Sequence, residues 1–281
     1  MADLFDFDTR PDEYAVMGNP VAHSQSPRIH ALFAQQTGQR VHYSAIHVDL
    51  GGFAQAVGNF AANGGKGLNI TVPFKGEAFA LADELSERAG EARAVNTFVC
   101  RRDGYLIGDN TDGVGLVRDL TQNHAAPLAG KRVLLLGAGG AARGVLGPLL
   151  AEGPAELHIA NRTADRAEVL AEAFAATGRV RGGGYGGLQG AYDLIINATS
   201  ASLGGELPPL PDDALAPGGW CYDMMYGKEP TPFLRWAAAH GAAQALDGVG
   251  MLVEQAAESF SIWRKVRPAT APVIAALRAG A

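Results

Sequence analysis

Cysteine is scarce in this chain of 281 residues, with only Cys100 and Cys221. The two stand far apart and show no metal-ligand spacing, so no metal site is expected. No apolar run approaches the ~20 residues of a membrane-spanning helix. No signal-peptide pattern is visible either, and a cytoplasmic location is the expectation. Basic runs are missing too. With 23 Lys and Arg against 29 Asp and Glu the formal net charge is −6, which argues against nucleic acid and anionic membrane as main partners. Internal repeats and coiled-coil patterns are absent. Apolar material is plentiful, 47% hydrophobic against 19% charged, enough for cores in two domains of ordinary size. Residues 1–12 are acidic and irregular and read as a loose extension.

The stretch 132–163 carries the first functional signal. Arg132-Val133-Leu134-Leu135-Leu136 is an apolar run of strand length. Gly137-Ala138-Gly139-Gly140-Ala141-Ala142 follows, then a helical pattern through Leu150 and a second strand over 156–160. The turn fits G-x-G-x-x-G/A, with Gly137, Gly139 and Ala142 in the three places. Gly137 permits the tight turn, Gly139 lets backbone approach a diphosphate, and Ala142 lets the helix pack on the strand. The helix N-terminus offers unpaired N–H groups to the phosphates. An NAD site usually places Asp or Glu after the second strand, for the ribose 2′-hydroxyl. Here that place holds Asn161-Arg162-Thr163, with Arg166 one turn on. Arginine pairs with a 2′-phosphate through its planar fork, so the cofactor expected is NADP.

Upstream, strands over 14–17, 41–48 and 67–72 alternate with helices over 27–37 and 53–62, as in a parallel sheet. Ser26 suits the N-cap of the first helix and Pro27 its first turn. A cap does not explain Ser24, and two hydroxyls at a helix N-terminus also suit a carboxylate. Asn69 and Thr71 alternate with Leu68, Ile70 and Val72, which places them on the opposite face at a strand end, where such sheets bind ligands. Residues 78–92 read as helix with a break near Ser86, and 95–100 with 105–107 as a hairpin. Gly108-Asp109-Asn110-Thr111-Asp112-Gly113 reads as the cap of a helix over 114–121, continued to Gly130 as a hinge. After the βαβ unit come a helix to about residue 175, a flexible glycine loop over 182–187, and a strand over 192–197. Ala198-Thr199-Ser200, just past that strand, would face the nicotinamide side. A proline-rich loop over 204–217, a last strand over 220–223, a helix over 231–240, the stretch 247–251 leading into a long helix through Trp263, and a helix over 271–277 complete the chain. Spacing alone reads Gln255 equally as a surface glutamine or a ligand.

Eight stretches in order resemble the shikimate dehydrogenase family, from Tyr14 almost to the C-terminus. They are Gly18-Asn19-Pro20 with His23-Ser24-Gln25-Ser26-Pro27; Asn69-Ile70-Thr71-Val72-Pro73-Phe74-Lys75; Ala94-Val95-Asn96-Thr97; the 108–113 motif; Gly137 to Ala142; Asn161-Arg162-Thr163; Asn197-Ala198-Thr199-Ser200; and Gly248-Val249-Gly250-Met251-Leu252-Val253 with Gln255. The resemblance implies an N-terminal α/β substrate domain plus a Rossmann-type doubly wound dinucleotide-binding domain, with the active-site cleft between them. The expected division is 1–112 with 248–281 for substrate and 113–247 for NADP. The implied reaction is reversible NADPH-dependent reduction of 3-dehydroshikimate to shikimate, in aromatic amino-acid biosynthesis, by a monomer or homodimer.

By the same likeness Ser24 and Ser26 bind the substrate carboxylate. Asn69, Thr71, Lys75, Asn96, Asp112, Tyr226 and Gln255 surround the ring hydroxyls, and Lys75 with Asp112 forms the catalytic pair. Gly137, Ala138, Gly139, Gly140 and Ala141, then Asn161, Arg162, Thr163 and Arg166, contact NADP. Thr199, Met224, Gly248 and Met251 join them, as does Glu87, whose motif is loose. The chemistry fits these residue types. Ketone reduction needs a hydride and a proton for the growing alkoxide, the proton coming from an acid within hydrogen-bond reach. Lys75 can supply both a proton and positive charge. A neighbouring carboxylate favours its charged form and burial opposes it. Three other readings stand beside this one. An NAD-linked quinate/shikimate enzyme would want an acid near Arg162. A folate-linked methylene dehydrogenase would not want the paired serines. A silent NADP-binding regulator would have lost Lys75 or Asp112.

Overall fold

Two six-stranded sheets organise the chain. The computed structural model describes residues 10–199, 201 and 205–280. Residues 1–9 of the loose extension expected over 1–12, Ser200 and the start of the proline-rich loop at Gly204 lie outside the described residues. The first sheet holds β1 (Asp12–Gly18), β2 (Val41–His47), β3 (Gly67–Ile70), β4 (Glu84–Leu85), β5 (Thr97–Cys100) and β6 (Leu106–Asp109), in the order β2-β1-β3-β5-β6-β4. β1 runs parallel to β2 and β3, while β5 is antiparallel to β3 and β6. Side chains alternate across a strand. Ala15, Met17, Leu68, Ile70 and Phe98 therefore share one core with Phe53 and Val57 of α2 (Phe53–Ala62) and Ala78 of α3 (Lys75–Leu81). Tyr14, Val16 and Tyr43 lie on the other face.

The second sheet is entirely parallel. It holds β7 (Arg132–Leu136), β8 (Glu156–Ala160), β9 (Val180–Gly183), β10 (Tyr192–Asn197), β11 (Leu215–Asp223) and β12 (Gln244–Leu246), in the order β12-β11-β10-β7-β8-β9. Val133, Leu135, Leu157 and Ile159 pack with α6 (Gly140–Ala151) and α7 (Ala164–Ala173), and Leu134, Leu136 and Ile195 with α8 (Pro232–Ala239). The strand order reverses between β7 and β10, which opens a crevice at their C-terminal ends. Three helices join the halves. α4 (Glu87–Ala92) packs on α6, and α5 (Asp112–Arg118) packs on both α6 and α9 (Val249–Arg264). α9 and α10 (Ala271–Ala279) return to bury Val253, Phe260, Val273 and Leu277 against Ile29 and Phe33 of α1 (Ser26–Thr37).

Several local expectations change. β1 begins at Asp12, inside the stretch read as irregular, because its N–H donates to Arg40 O at 3.0 Å and Arg264 pairs with its carboxylate. Ser26 is the first helical residue and not the cap, while Ser24 Oγ accepts from Ser26 N at 3.2 Å. β3 stops at Ile70, since Phe74 N turns back to Thr71 O and Val72 is 62% exposed. The stretch 78–92 is two helices. Ser86 caps the second by accepting from Ala89 N, with the short β4 before it. The hinge helix starts at Asp112, passes through a π-turn over Asp119–Asn123 and ends well before Gly130, where Ala125 is left-handed. The 182–187 glycine run is not a free loop. It is the end of edge strand β9 and a 3₁₀ turn, and a Cβ on Gly182 would stand 2.1 Å from Ala167 O on α7. β11 starts at Leu215, earlier than its pattern suggests, and β12 is a further strand, weakly marked because two of its three residues are exposed.

Candidate active site

The ends of β1 and β3 face α9 across a cleft of about 310 Å³. Ser24, Ser26, Asn69, Thr71, Lys75, Asn96, Asp112, Tyr226 and Gln255 all line it, together with Met224, Gly248 and Met251. Separate elements supply them, with Asn96 just before β5 and Met224 and Tyr226 just after β11. Ser24 and Ser26 stand at the start of α1, Asn69 and Thr71 at the end of β3, and Lys75 on the first turn of α3. Asp112 opens α5, and Gln255 projects from the second turn of α9. A Cβ on Gly115 would stand 2.7 Å from Gln255 Cβ, so the missing side chain lets α5 and α9 approach closely and brings Gln255 beside Thr111.

Lys75 Nζ donates to Asp112 Oδ2 at 2.5 Å, with side-chain exposures of 26% and 10%. The ammonium thus keeps access to the cleft while its carboxylate partner sits below it. Asp112 Oδ1 accepts from Asn96 Nδ2 at 2.8 Å. The orientation of Asn96 follows from its other end: Oδ1 accepts the backbone N–H of Thr111 at 2.9 Å, which turns Nδ2 toward Asp112. A backbone amide therefore sets an amide side chain, which sets the carboxylate that holds the lysine.

A second layer supports Asn69. Its Oδ1 accepts Tyr43 OH at 2.7 Å, and its Nδ2 donates to Ser259 Oγ at 3.0 Å and Thr97 Oγ1 at 3.1 Å. Ser259 also meets Thr97 Oγ1 at 2.8 Å and Thr111 Oγ1 at 3.2 Å, and donates to Gln255 O at 3.1 Å. Sequence reasoning singled out none of Tyr43, Thr97, Thr111 and Ser259. Thr97 and Thr111 lay inside recognised motifs. Ser259 is four residues beyond Gln255, one helical turn, so the α-helical period could have found it. Tyr43 carried no local signal. Its ring stacks at 4.1 Å on the buried His30, whose pKa burial lowers to about 3.

The nucleotide-motif residues gather at the crevice of the second sheet. Gly137 has φ +105, a backbone that side chains rarely adopt. Space is open where side chains on Gly139 and Gly140 would stand, and Gly140 starts the 12-residue α6. This is a cradle shaped for a diphosphate on a helix N-terminus. Ala138 and Ala141 flank it, half-buried, and Ala142 is fully buried against the sheet. Thr199 stands across the crevice, 3.1 Å from a Cβ on Gly137, its hydroxyl held by Asn197 Oδ1 at 2.7 Å. At the end of β8, Asn161 Nδ2 donates to Thr163 O at 2.9 Å, and Arg162 and Arg166 are exposed with no carboxylate partner among the described residues. The residues present thus fit a phosphorylated dinucleotide. Glu87 stands apart: it is exposed on the first turn of α4 and does not line the cleft. Among the described residues no group of three His, Cys, Asp or Glu could hold a metal ion, and no helix is long and apolar enough to cross a membrane.

Comparison with known proteins gives a consistent family. Residues 16–98 match a profile described as the shikimate dehydrogenase substrate-binding domain. Residues 119–203 match shikimate/quinate 5-dehydrogenase, and 248–278 the shikimate 5′-dehydrogenase C-terminal domain. A protein of Alkalilimnicola ehrlichii named shikimate dehydrogenase (NADP(+)) is 64% identical over 267 residues, 95% of this chain and 98% of that one. The crystal structure of an Ael1 enzyme from Pseudomonas putida is 51% identical, with a TM-score of 0.89 over 95% of this chain and 98% of that one. The shikimate 5-dehydrogenase of Thermus thermophilus in complex with NADP(H) and shikimate is 32% identical, with a TM-score of 0.83 over 96% of this chain and 100% of that one.

Proposed function

The chain belongs to the shikimate dehydrogenase family, and we propose that it catalyses the reversible NADPH-dependent reduction of 3-dehydroshikimate to shikimate, a step of aromatic amino-acid biosynthesis. The observation that carries this reading is the Lys75–Asp112 pair in a cleft reached from both sheets. We assign residues 1–112 and 248–281 to substrate and 113–247 to NADP. The protein acts on a small molecule, as monomer or homodimer. The cytoplasm is the proposed compartment, in keeping with two free, buried thiols whose pKa burial raises to about 12.

Residues 137–141, Asn161, Arg162, Thr163, Arg166, Thr199, Met224, Gly248 and Met251 would hold NADPH, which would supply the hydride. The chain's own groups do the rest. Ser24 and Ser26 receive the substrate carboxylate at the start of α1, where unpaired N–H groups favour an anion. Asn69, Thr71, Asn96, Tyr226 and Gln255 orient the ring through its hydroxyls. The Lys75 ammonium stabilises negative charge as it grows on the ketone oxygen, and its Nζ then donates a proton to that oxygen and is left as the neutral amine. Asp112 Oδ2 accepts from Lys75 Nζ and keeps the lysine aimed. In the oxidative direction the same nitrogen takes the hydroxyl proton back.

The test is an absorbance assay of nicotinamide reduction, offering shikimate and quinate each with NADP and NAD. Rapid turnover confined to shikimate with NADP is the expected result. Equal turnover of quinate or with NAD would move the chain to a broader quinate/shikimate activity. NADP binding without turnover of either substrate would overturn the catalytic reading.

A further inference from the structure

α5 opens on Asp112 and ends at Arg118, and Asp119 follows as the first residue of the π-turn. Seven residues span about 10 Å of helix, so Asp112 and Asp119 sit at the two ends of one short rod. The rod is gripped on both sides. A Cβ on Gly113 would stand 2.5 Å from Gly144 O of α6, and one on Gly250 would stand 2.0 Å from Asp119 Oδ1. Asp119 is thus pressed against the first turn of α9, and it is 1% exposed. Its Oδ2 accepts the hydroxyl of Tyr222 at 2.7 Å, and its Oδ1 accepts Asn123 Nδ2 at 2.9 Å. The Tyr222 oxygen in turn accepts the N–H of Met251 at 3.3 Å. That N–H lies in the first turn of α9, where it has no partner within the helix. Tyr222 is fully buried on β11. Burial, and after it the charge of Asp119, raises its pKa well above the ordinary value, so the hydroxyl stays protonated and keeps donating.

β11 runs on into Met224. A Cβ on Gly248 would stand 2.3 Å from Met224 O, and Gly248 N donates to Met225 O at 3.1 Å. The end of β11 and the start of α9 are therefore zipped into one wall, whose Met224, Gly248 and Met251 line the cleft with Lys75 and Asp112. Neither Asp119 nor Tyr222 lines it. We propose that Asp119 and Tyr222 are positioning residues for hydride transfer: through α5 they hold this wall in register with the Lys75–Asp112 pair. The inference rests on the NADP-dependent reduction proposed above and deepens it. Transfer between two bound molecules is steep in distance, and a 1 Å misplacement costs about a hundredfold in rate. Supporting groups that lock the site from behind remove such slack. Tyr222 shares its core cluster with Leu116, Leu120 and Leu246. Burying a carboxylate and a hydroxyl in such company costs desolvation that a phenylalanine would not, and what the pair adds is direction.

Tyr222→Phe tests the role, because it keeps the ring and removes one oxygen. Nicotinamide absorbance is followed through a stopped-flow single turnover with NADP and shikimate, the shikimate either ordinary or deuterated at the carbinol carbon that gives up the hydride. NADPH and shikimate are titrated separately, and the thermal midpoint is recorded. The expected result is a fall of about tenfold in the single-turnover rate, with a full deuterium effect and with both affinities within about threefold of the unsubstituted chain. A merely structural role would lower the thermal midpoint and leave that rate where it was. Gly250→Ala is expected to slow the same step, because its methyl displaces Asp119 while every hydrogen-bonding group remains. It decides on the same criterion if Tyr222→Phe does not fold. A rate within about twofold of the unsubstituted chain overturns the positioning role. So does a collapse of affinity with the saturated rate intact, which would make Tyr222 a support for binding alone. Failure of the unsubstituted chain to turn over shikimate overturns instead the reading on which this role rests.

Discussion

Lys75→Ala should abolish most turnover while leaving the protein folded and able to bind substrate. General acid catalysis contributes typically about 10²–10⁴-fold. Loss of Lys75 should therefore lower kcat about a thousandfold, which is about 4 kcal/mol of transition-state stabilisation. The structural cost is smaller. Asp112 loses one partner but keeps Asn96 Nδ2 at 2.8 Å. Breaking a fully buried pair costs about 3–5 kcal/mol. Lys75 is 26% exposed at a cleft open to solvent, so water can replace it and about 1–2 kcal/mol is the discounted expectation. Ser24, Ser26, Asn69, Thr71 and Gln255 remain to hold the ring, so KM should change less than about tenfold. The assay is steady-state kinetics in both directions, with NADPH titration and urea unfolding as controls. Adding Asp112→Ala to Lys75→Ala should cost little more, since groups acting as a unit are not additive. A kcat within about tenfold of the unsubstituted chain, with KM raised a hundredfold or more, would refute the assignment and leave Lys75 as a binding residue.

Arg162→Ala should reduce the preference for NADP over NAD by about tenfold or more, as expected for a lost charge-assisted contact. A preference that does not move, measured as the ratio of kcat/KM values, would show that another group reads the 2′-phosphate. Folding should weaken in acid through His30 and His158. Burial holds their pKa values at about 3 and about 4 against the ordinary 6.5. Between those values the unfolded chain binds the protons that the folded chain refuses. Stability is thus fully present above pH 6.5 and falls as the pH drops toward about 3, by up to about 1.4 kcal/mol per pH unit for each histidine. His30→Phe should flatten the pH dependence of the urea midpoint in this window, and an unaltered slope would remove His30 from the account. Gly182→Ala should destabilise the second sheet by about 2 kcal/mol or more, because the new methyl meets the backbone of α7 at 2.1 Å and cannot be accommodated by a side-chain turn. An unchanged urea midpoint would mean that α7 shifts freely.

Local order was legible where its cause is local. The period of apolar residues and the Gly38 and Asn63 stops marked the C-terminal ends of α1 and α2, and Pro27 marked the first turn of α1. The alternation in 68–70 put Leu68 and Ile70 in the core and Asn69 on the opposite face. The glycine turn and its two strands needed only neighbours in sequence, and so did the absence of an acid after β8. Readings failed where a distant element intervened. The glycine run at 182–187 looks flexible alone, but it is bare because α7 lies against it. Ser26 looks like a cap, but the helix begins one residue earlier and Ser24 takes its N–H.

The sequence by itself determined the two-part α/β plan, the dinucleotide cradle and the residue types that a ketone reduction needs, because short-range propensity, period and motif spacing specify these. Only the tertiary structure decided which of those residues meet. Lys75 and Asp112 are 37 positions apart, and Asn69 and Ser259 are 190. Their contacts depend on the order of strands in the first sheet and on the return of α9 across it. Such contacts are set by the burial of whole faces, which fixes the position of backbones, and a side chain's partner is then whatever that position places within reach.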